Sequence, residues 1–306
     1  MKSALVTSFG GPDVFMLAER TLRAPGPDEA VIRVEAASVN PLDLKMMAGS
    51  MQQVFPVEFP YVPGTDFSGV VDALGTPATH LKVGDRVMGR MAPSVGGAFA
   101  AAVIAPAADL QVIPPEMSFE QAASLPTAFG TAWQALFVVG HLERGQRVLV
   151  HAGAGGVGSM AVQLARAAGA HVIATASAKN IELVRSLGAH EVIDYRTQDF
   201  TQAQDIDLVL DTIGGQTLER SWSVLGAGGR IVTAVEFGIQ PKAGCAGEFV
   251  FFADARPFLP EAIRMFNAGR LQIVTDSIFP LDEARSALEK VATGHARGKV
   301  VIRVGT

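Results

Sequence analysis

The chain has 306 residues, 49% of them hydrophobic and 18% charged, with Gly 32, Pro 17 and a single cysteine, Cys245. That composition excludes a disordered or fibrous chain, and one sulfur excludes both a disulfide framework and a multi-cysteine zinc site. Lys+Arg 25 against Asp+Glu 30 leaves a net charge of −5 and no chain-wide attraction to phosphodiester backbones or anionic lipid, so neither nucleic acid nor membrane is an expected partner.

At this length two lobes are expected. The first seven residues form a short apolar stretch that soon meets Gly10-Gly11-Pro12, so they lack the apolar core of a signal peptide. The Ala-rich segment 98–108 is too short, and too broken by Pro106, to span a bilayer. By elimination the expected location is cytoplasmic.

Extended apolar runs at 30–39, 67–74 and 85–91, separated by turn residues, predict short strands of a small β-barrel or sandwich. The character changes near Ser118, an N-cap candidate, and 127–139 then reads as an apolar helix stopped by Gly140. From Gln146 strands and helices alternate. The run 147–151 is a buried strand, and Val157, Ala161, Leu164, Ala165 and Ala168 form one apolar helical face before Gly169. Strand 171–175, helix 179–187 with Gly188 as its stop, and strands at 191–193, 206–210 and 230–235 follow. This alternation predicts a parallel, doubly wound sheet. Helices at 258–268 and 281–293 precede a terminal strand at 299–304. That strand needs a sheet to join, and the incomplete first domain supplies one. The α/β architecture expected is therefore a β-rich first domain, 1–122, interrupted by a parallel-sheet domain, 123–258, and completed by 259–306.

The strongest motif is the glycine loop after strand 147–151. Gly153, Gly155 and Gly158 fit G-x-G-x-x-G between a buried strand and an amphipathic helix, the context that gives the pattern meaning. Its backbone, with Ala154, Gly156 and Val157, is suited to a dinucleotide pyrophosphate at the positive end of the helix. The bland alternative is a glycine-rich turn without a ligand. An NAD site places an acid about 20 residues on, at the end of the second strand, to accept from the ribose hydroxyls. Residues 175–180, Thr-Ala-Ser-Ala-Lys-Asn, contain no acid, whereas Ser177 and Lys179 suit a 2′-phosphate, so NADPH is the expected cofactor. The competing reading makes Ser177 a helix N-cap and Lys179 a solvated first-turn residue.

Taken together, Leu125-Pro126-Thr127-Ala128 before a helix, the 152–158 loop, the run Gly188 to Tyr195 and the ending His295-Ala296-Arg297-Gly298-Lys299-Val300-Val301 resemble the medium-chain dehydrogenase/reductase superfamily. Within it the chain resembles the zinc-independent quinone oxidoreductases, a branch that includes zeta-crystallin-like proteins and enone reductases. The resemblance implies a GroES-like catalytic domain, an inserted Rossmann domain and an active site where they meet. It implies that Ser177, Lys179, Tyr195 and, more weakly, Arg196 surround the 2′-phosphate. It further implies that Asn40 and Asp43 face the nicotinamide, that Thr127 contacts its end, and that Thr212, Ile213 and the stretch from Phe249 through Phe251 to Phe252 supply backbone and wall contacts. A homodimer through a strand near 248–252 is implied by the same analogy.

Zinc alcohol dehydrogenases in this superfamily ligate the metal through a Cys near the position of Asn40 and the His of a Gly-His-Glu motif. Here Gly64-Thr65-Asp66 stands in place of that motif, and Cys245 lies in neither segment. No metal site is expected, and none of the six histidines has ligand spacing. The implied reaction is hydride transfer to a quinone or to the β-carbon of an α,β-unsaturated carbonyl. Asn40 and Lys45 are the expected oxyanion donors, and Asp43 is expected to orient Lys45 or a ribose hydroxyl. The alternative function is an NADPH-binding redox sensor or regulator with little turnover. His151 is expected to fix the glycine loop, and Cys245 to sit in a loop near the cleft entrance. For Tyr61, packing competes with proton donation. Met46, Met47, Met51, Phe55 and Phe59 form either a substrate wall or core.

Overall fold

The computed structural model describes residues 1–75 and 81–305, so His80 lies outside the described residues. The chain divides into two compact units, one of 1–127, 253–267 and 275–306, the other of 128–252 and 268–274. Relative to the expected boundaries, residues 123–127 and 253–258 fall in the first unit. Residues 268–274 fall in the second, where Gln163 accepts from the Gln272 N–H and donates to its carbonyl.

In the first unit a seven-stranded sheet runs in the order Thr275–Pro280, Lys299–Arg303, Glu29–Val39, Asp66–Leu74, Arg86–Arg90 and Gln111–Val112, with Ala102–Pro106 pairing to Glu29–Val39. The C-terminal strand does return to it, Val300 lying opposite Val39. Along Glu29–Val39 burial alternates at first and becomes continuous from Ala36. There the second face is covered too, by the helix Phe119–Ala123, whose Phe119 and Ala123 pack on Ala36 and Val301. Met46 and Met47 are buried with Met51, Phe67 and Phe99 in this unit's core, and Phe55 packs against it. Phe59 is exposed and meets Phe9 edge to face. The methionines are core, which decides between the two readings of that cluster.

In the second unit six strands are all parallel, in the order Glu191–Asp194, His171–Ala176, Arg147–Val150, Ile206–Asp211, Leu225–Thr233 and Ala246–Phe249. Strand order reverses between the third and fourth of these, which makes the space beyond their carboxyl ends the ligand crevice of a doubly wound sheet. The expected helix 127–139 is an α-helix over Pro126–Trp133 that widens into a π-helical turn over Gln134–Val139. The strand expected at 230–235 is Leu225–Thr233 instead, because its glycine-rich start, which reads as a turn, pairs with Ile206–Asp211 across a register shift. The edge strand expected near 248–252 is Ala246–Phe249. Cys245 directly precedes it, its Sγ 3.7 Å from the Gly226 carbonyl. It therefore sits at the amino ends of the strands, on the opposite side of the sheet from the glycine loop, and not near a ligand entrance. No helix among the described residues is long and apolar enough to cross a membrane.

A neutral polar cluster closes the carboxyl end of the central strands. His151 is buried, with Nε2 2.9 Å from Ser221 Oγ and Nδ1 3.2 Å from Thr175 Oγ1. Ser221 donates its proton to the Thr217 carbonyl, so it accepts from Nε2–H; Thr175 accepts from the Ala152 N–H and donates to Nδ1. Burial lowers the imidazole from its ordinary 6.5 to about 4, against the opposing pull of Asp211.

Met47→Ala is expected to lower the unfolding free energy by about 2–5 kcal/mol, read by urea denaturation, because it empties a well-packed core position. His151 is neutral when folded and protonates readily when unfolded, so its contribution is complete above the unfolded pKa and is lost as pH falls through the folded one. The stability advantage of the wild type over His151→Gln is accordingly expected to shrink by about 3 kcal/mol between about pH 7 and pH 4. A pH-independent difference in urea unfolding would show that the ring is not held neutral.

Candidate active site

Two constellations are present, each within one unit. The first is the glycine loop. Ala152 has φ +52, and its N–H and that of Gly153 are tied to Thr175, so the loop is anchored on the neighbouring strand. A Cβ on Gly158 would lie 2.1 Å from the Ala152 carbonyl oxygen, and one on Gly153 would lie 2.8 Å from Ala174 Cβ. Both glycines are required by close approach, one for the turn and one for packing on the strand. Gly155 is the N-cap of the helix Gly156–Ala167, whose first intrahelical bond is Ser159 N–H to Gly155 O. The N–H groups of Gly156, Val157 and Gly158 precede that bond and point out of the helix start, beside the buried Ala154. This is an anion cradle at the positive end of a twelve-residue helix.

The other residues assigned from the sequence to the cofactor in this unit lie at the carboxyl ends of its strands, on both sides of the crevice. Asp194 pairs with Ala176, so Ser177 and Tyr195 leave neighbouring strands side by side. Ser177 is mostly buried and its Oγ accepts from Asn180, whereas Lys179 and Tyr195 are exposed and Arg196 stacks on the Tyr195 ring. Ser177 does occupy the N-cap position of the short helix that follows, in extended conformation, but its side chain makes no cap bond there. The Asp194 carboxylate is spent on the Arg196 N–H and the Thr197 hydroxyl. Thr212 donates to the His151 carbonyl, and the Asp211 carboxylate accepts from the N–H groups of Ile213 and Gly214 and from the Thr233 hydroxyl. Phe249 ends the edge strand opposite Thr233 and stacks on Phe237, and Phe251 is exposed just beyond.

The second constellation is a buried ionic network in the first unit. Asn40 precedes the helix Pro41–Met47, and its N–H donates to Asp43 Oδ2 at 2.7 Å. Its side-chain amide is fully engaged. Nδ2 donates to Asp66 Oδ2 at 3.0 Å and to Thr65 Oγ1 at 3.4 Å, while Oδ1 accepts from the Lys299 ammonium. Lys299 also reaches the Val39 carbonyl. Asp66 in turn accepts from the Thr127 N–H and hydroxyl, and Arg90 donates to that hydroxyl. Asn40, Asp43, Asp66, Arg90 and Lys299 are all buried.

These contacts correct the roles expected for the 40–45 segment. Both amide protons of Asn40 are spent inside the protein, so it is a positioning group and has none left for a substrate oxygen. Asp43 is bonded to the Asn40 N–H and not to Lys45, which is half-buried on another face of the helix. Asp43 Oδ1 is buried without a hydrogen-bond partner, and burial, reinforced by Asp66 and opposed by the Asn40 N–H, Lys299 and Arg90, pushes its carboxyl up to about 7. Burial lowers Lys299 and Arg90, which the two aspartates oppose. Tyr61 is buried, donates to the Pro93 carbonyl and is held protonated by burial and by nearby Asp43, which is the packing role rather than the proton-donor one. Sequence reasoning missed Asp66, Arg90 and Lys299 as one network. The only signal was charge inside apolar strand runs, Arg90 ending Arg86–Arg90 and Lys299 opening Lys299–Arg303.

Zinc does not fit the positions it occupies in metal-binding relatives. Asn40 Oδ1 is already paired with an ammonium, Thr65 and Asp66 are bonded to Asn40, and no group of three or more metal-binding side chains occurs among the described residues.

Family models match residues 26–115 as an alcohol dehydrogenase GroES-like domain and residues 187–302 as a zinc-binding dehydrogenase. A mitochondrial NAD(P)H oxidoreductase of Mus musculus is 34% identical, covering 91% of this chain and 82% of its own length. A chloroplastic quinone-oxidoreductase homolog of Spinacia oleracea is 31% identical, covering 96% and 95%. Among solved structures, the quinone oxidoreductase from Coxiella burnetii superposes with a TM-score of 0.90 at 34% identity over 99% of both chains. A mycobacterial protein complexed with NADPH does so at 0.86 and 28% identity, covering 99% of this chain and 100% of its own. A GroES-like domain, a doubly wound parallel sheet and relatives matched over nearly the whole length place this chain in the medium-chain dehydrogenase/reductase superfamily, as an NAD(P)H-linked oxidoreductase related to the quinone oxidoreductases.

Proposed function

We propose that the protein uses NADPH, without zinc, to reduce quinones or the β-carbon of α,β-unsaturated carbonyls. The observation that carries this reading is the Asn40-Lys299 contact. It fills a position that zinc dehydrogenases give to a metal ligand with the carboxamide of a residue already bonded to a cation. Oxidising an unactivated alcohol calls for a Lewis acid or a general base at the developing alkoxide, whereas reducing an electron-poor conjugated acceptor needs no metal to activate it.

Bound NADPH supplies the hydride, and the acceptor gains that hydride and one proton. The chain's own part is to bind, orient and exclude water. The amides of Gly156, Val157 and Gly158 hold the pyrophosphate. Ser177, Lys179 and Tyr195 hold the 2′-phosphate, where an acid would repel it. By the family resemblance Thr127 contacts the nicotinamide end, and Thr212, Ile213, Phe249 and Phe251 supply backbone and wall contacts to the cofactor. Lys45, whose ammonium is not part of the buried network, is left as the donor to the developing oxyanion.

Cofactor choice is tested by titrating NADPH and NADH against the wild type and Lys179→Ala. Loss of one charge-assisted contact to phosphate is expected to weaken NADPH roughly tenfold or more, with NADH unaffected. Equal affinity of the wild type for both cofactors would overturn the assignment. Acceptor class is tested by following NADPH oxidation with 9,10-phenanthrenequinone, 1,4-benzoquinone and a short 2-enal. Turnover is expected with at least one; saturable NADPH binding without oxidation by any of them would favour a redox sensor.

A further inference from the structure

Thr127 and Ala253 are the residues at which the first unit's chain breaks off and resumes. One side chain holds both. Arg90 Nε donates to Thr127 Oγ1 at 3.0 Å, and another nitrogen of the same guanidinium donates to the Ala253 carbonyl at 2.7 Å. The Thr127 hydroxyl is doubly determined, since it also donates to Asp66 Oδ1 at 2.7 Å while its own N–H donates to Asp66 Oδ2 at 3.1 Å. We infer that Arg90 is a positioning residue for cofactor use, acting through Thr127 and not on the substrate.

The argument is one of geometry. A planar guanidinium offers several donors in a fixed fork and serves two acceptors at once, one on each of two chain segments far apart in sequence. A lysine at the same place carries the same charge as a single flexible point. Asp66 supplies the opposing contact and is itself held by Asn40, which Lys299 holds in turn. The hydroxyl of Thr127 thus has one available orientation before any ligand arrives, and displacements well below an ångström at a positioning residue are felt in rate. The sequence pattern gives Arg90 no such role, because its partners lie 37 and 163 residues further along the chain.

The inference rests on the reading of Thr127 as a residue at the nicotinamide end. It is tested in the full chain with Arg90→Lys, Thr127→Val and the double variant. The readouts are affinity for NADPH, affinity for adenosine 2′,5′-bisphosphate, which lacks the nicotinamide half, and kcat and KM with the best acceptor. Arg90→Lys is expected to lower kcat or NADPH affinity roughly tenfold while leaving the bisphosphate within about twofold, and to add nothing in the Thr127→Val background. An undiminished further loss in that background, equal weakening of both ligands, or no change beyond a lower melting temperature would overturn it. If Arg90→Lys does not fold, the charge-neutral pair Arg90→Gln with Asp66→Asn takes its place in the same cycle. If the wild type binds NADPH but reduces no acceptor, the proposed function fails, while the two binding measurements still decide the role of Arg90.

Discussion

Four charges buried together, Asp43 and Asp66 against Arg90 and Lys299, are the constraint around which the first unit is organised. An isolated ionised group in an apolar interior either neutralises or costs several kcal/mol, and removing one partner of a buried pair exposes the other to that cost. The shifts record both pressures. Burial pushes Asp43 up to about 7 and Lys299 down, while each opposite charge pulls its neighbours back toward ionisation. Sequence then follows from charge balance. Lys299 reaches Asn40 only because its strand pairs in the register Val300 to Val39, so the last residues of the chain must return to a sheet begun by residues 29–39.

The second unit solves a related problem with neutral groups. The strand ends at its crevice also carry buried polar side chains, but His151 is uncharged and sits between two hydroxyls, and Asp211 is saturated by N–H groups and a threonine. A neutral imidazole adds no charge of its own beside the positive field of the helix start. The cluster shapes the loop, since Thr175 joins His151 to the Ala152 N–H, and Ala152 is the residue whose φ of +52 turns the chain. Fixed backbone donors of this kind need little reorganisation when an anion binds.

How much of this was legible depended on range. The glycine loop could be read because its requirements are local: Gly158 must clear the Ala152 carbonyl six residues away, and the flanking strand and helix announce themselves by periodicity. The 40–45 segment can be found only by resemblance, and the donor role expected of Asn40 fails because the partners that consume its amide lie at 65, 66 and 299. Thr275–Pro280 is obscured by its aspartate and proline, tolerated at a sheet edge and uninformative in a single chain, while Ala246–Phe249 is displaced from its expected place by a glycine-containing start. The methionines at 46 and 47 are ambiguous by nature. An unbranched apolar side chain suits a substrate wall and a core equally well, and burial alone separates the two.

The ionic network also bears on why one superfamily supports both metal-dependent and metal-free chemistry. A dication at the position of Asn40 needs lone pairs, and the carboxamide oxygen here has already given its own to Lys299. Placing such an ion there would set it against an ammonium and a guanidinium already buried nearby, and expelling either would strand Asp43 or Asp66. The resident cations are therefore structural competitors of a metal rather than substitutes for it. They neutralise the carboxylates and order Asn40 and Thr127, Lys299 donating to Asn40 Oδ1 and the Val39 carbonyl and Arg90 to the Thr127 hydroxyl and the Ala253 carbonyl. A network built this way orders its own side chains before any ligand arrives, and a dication could enter it only by displacing a cation that the buried carboxylates require.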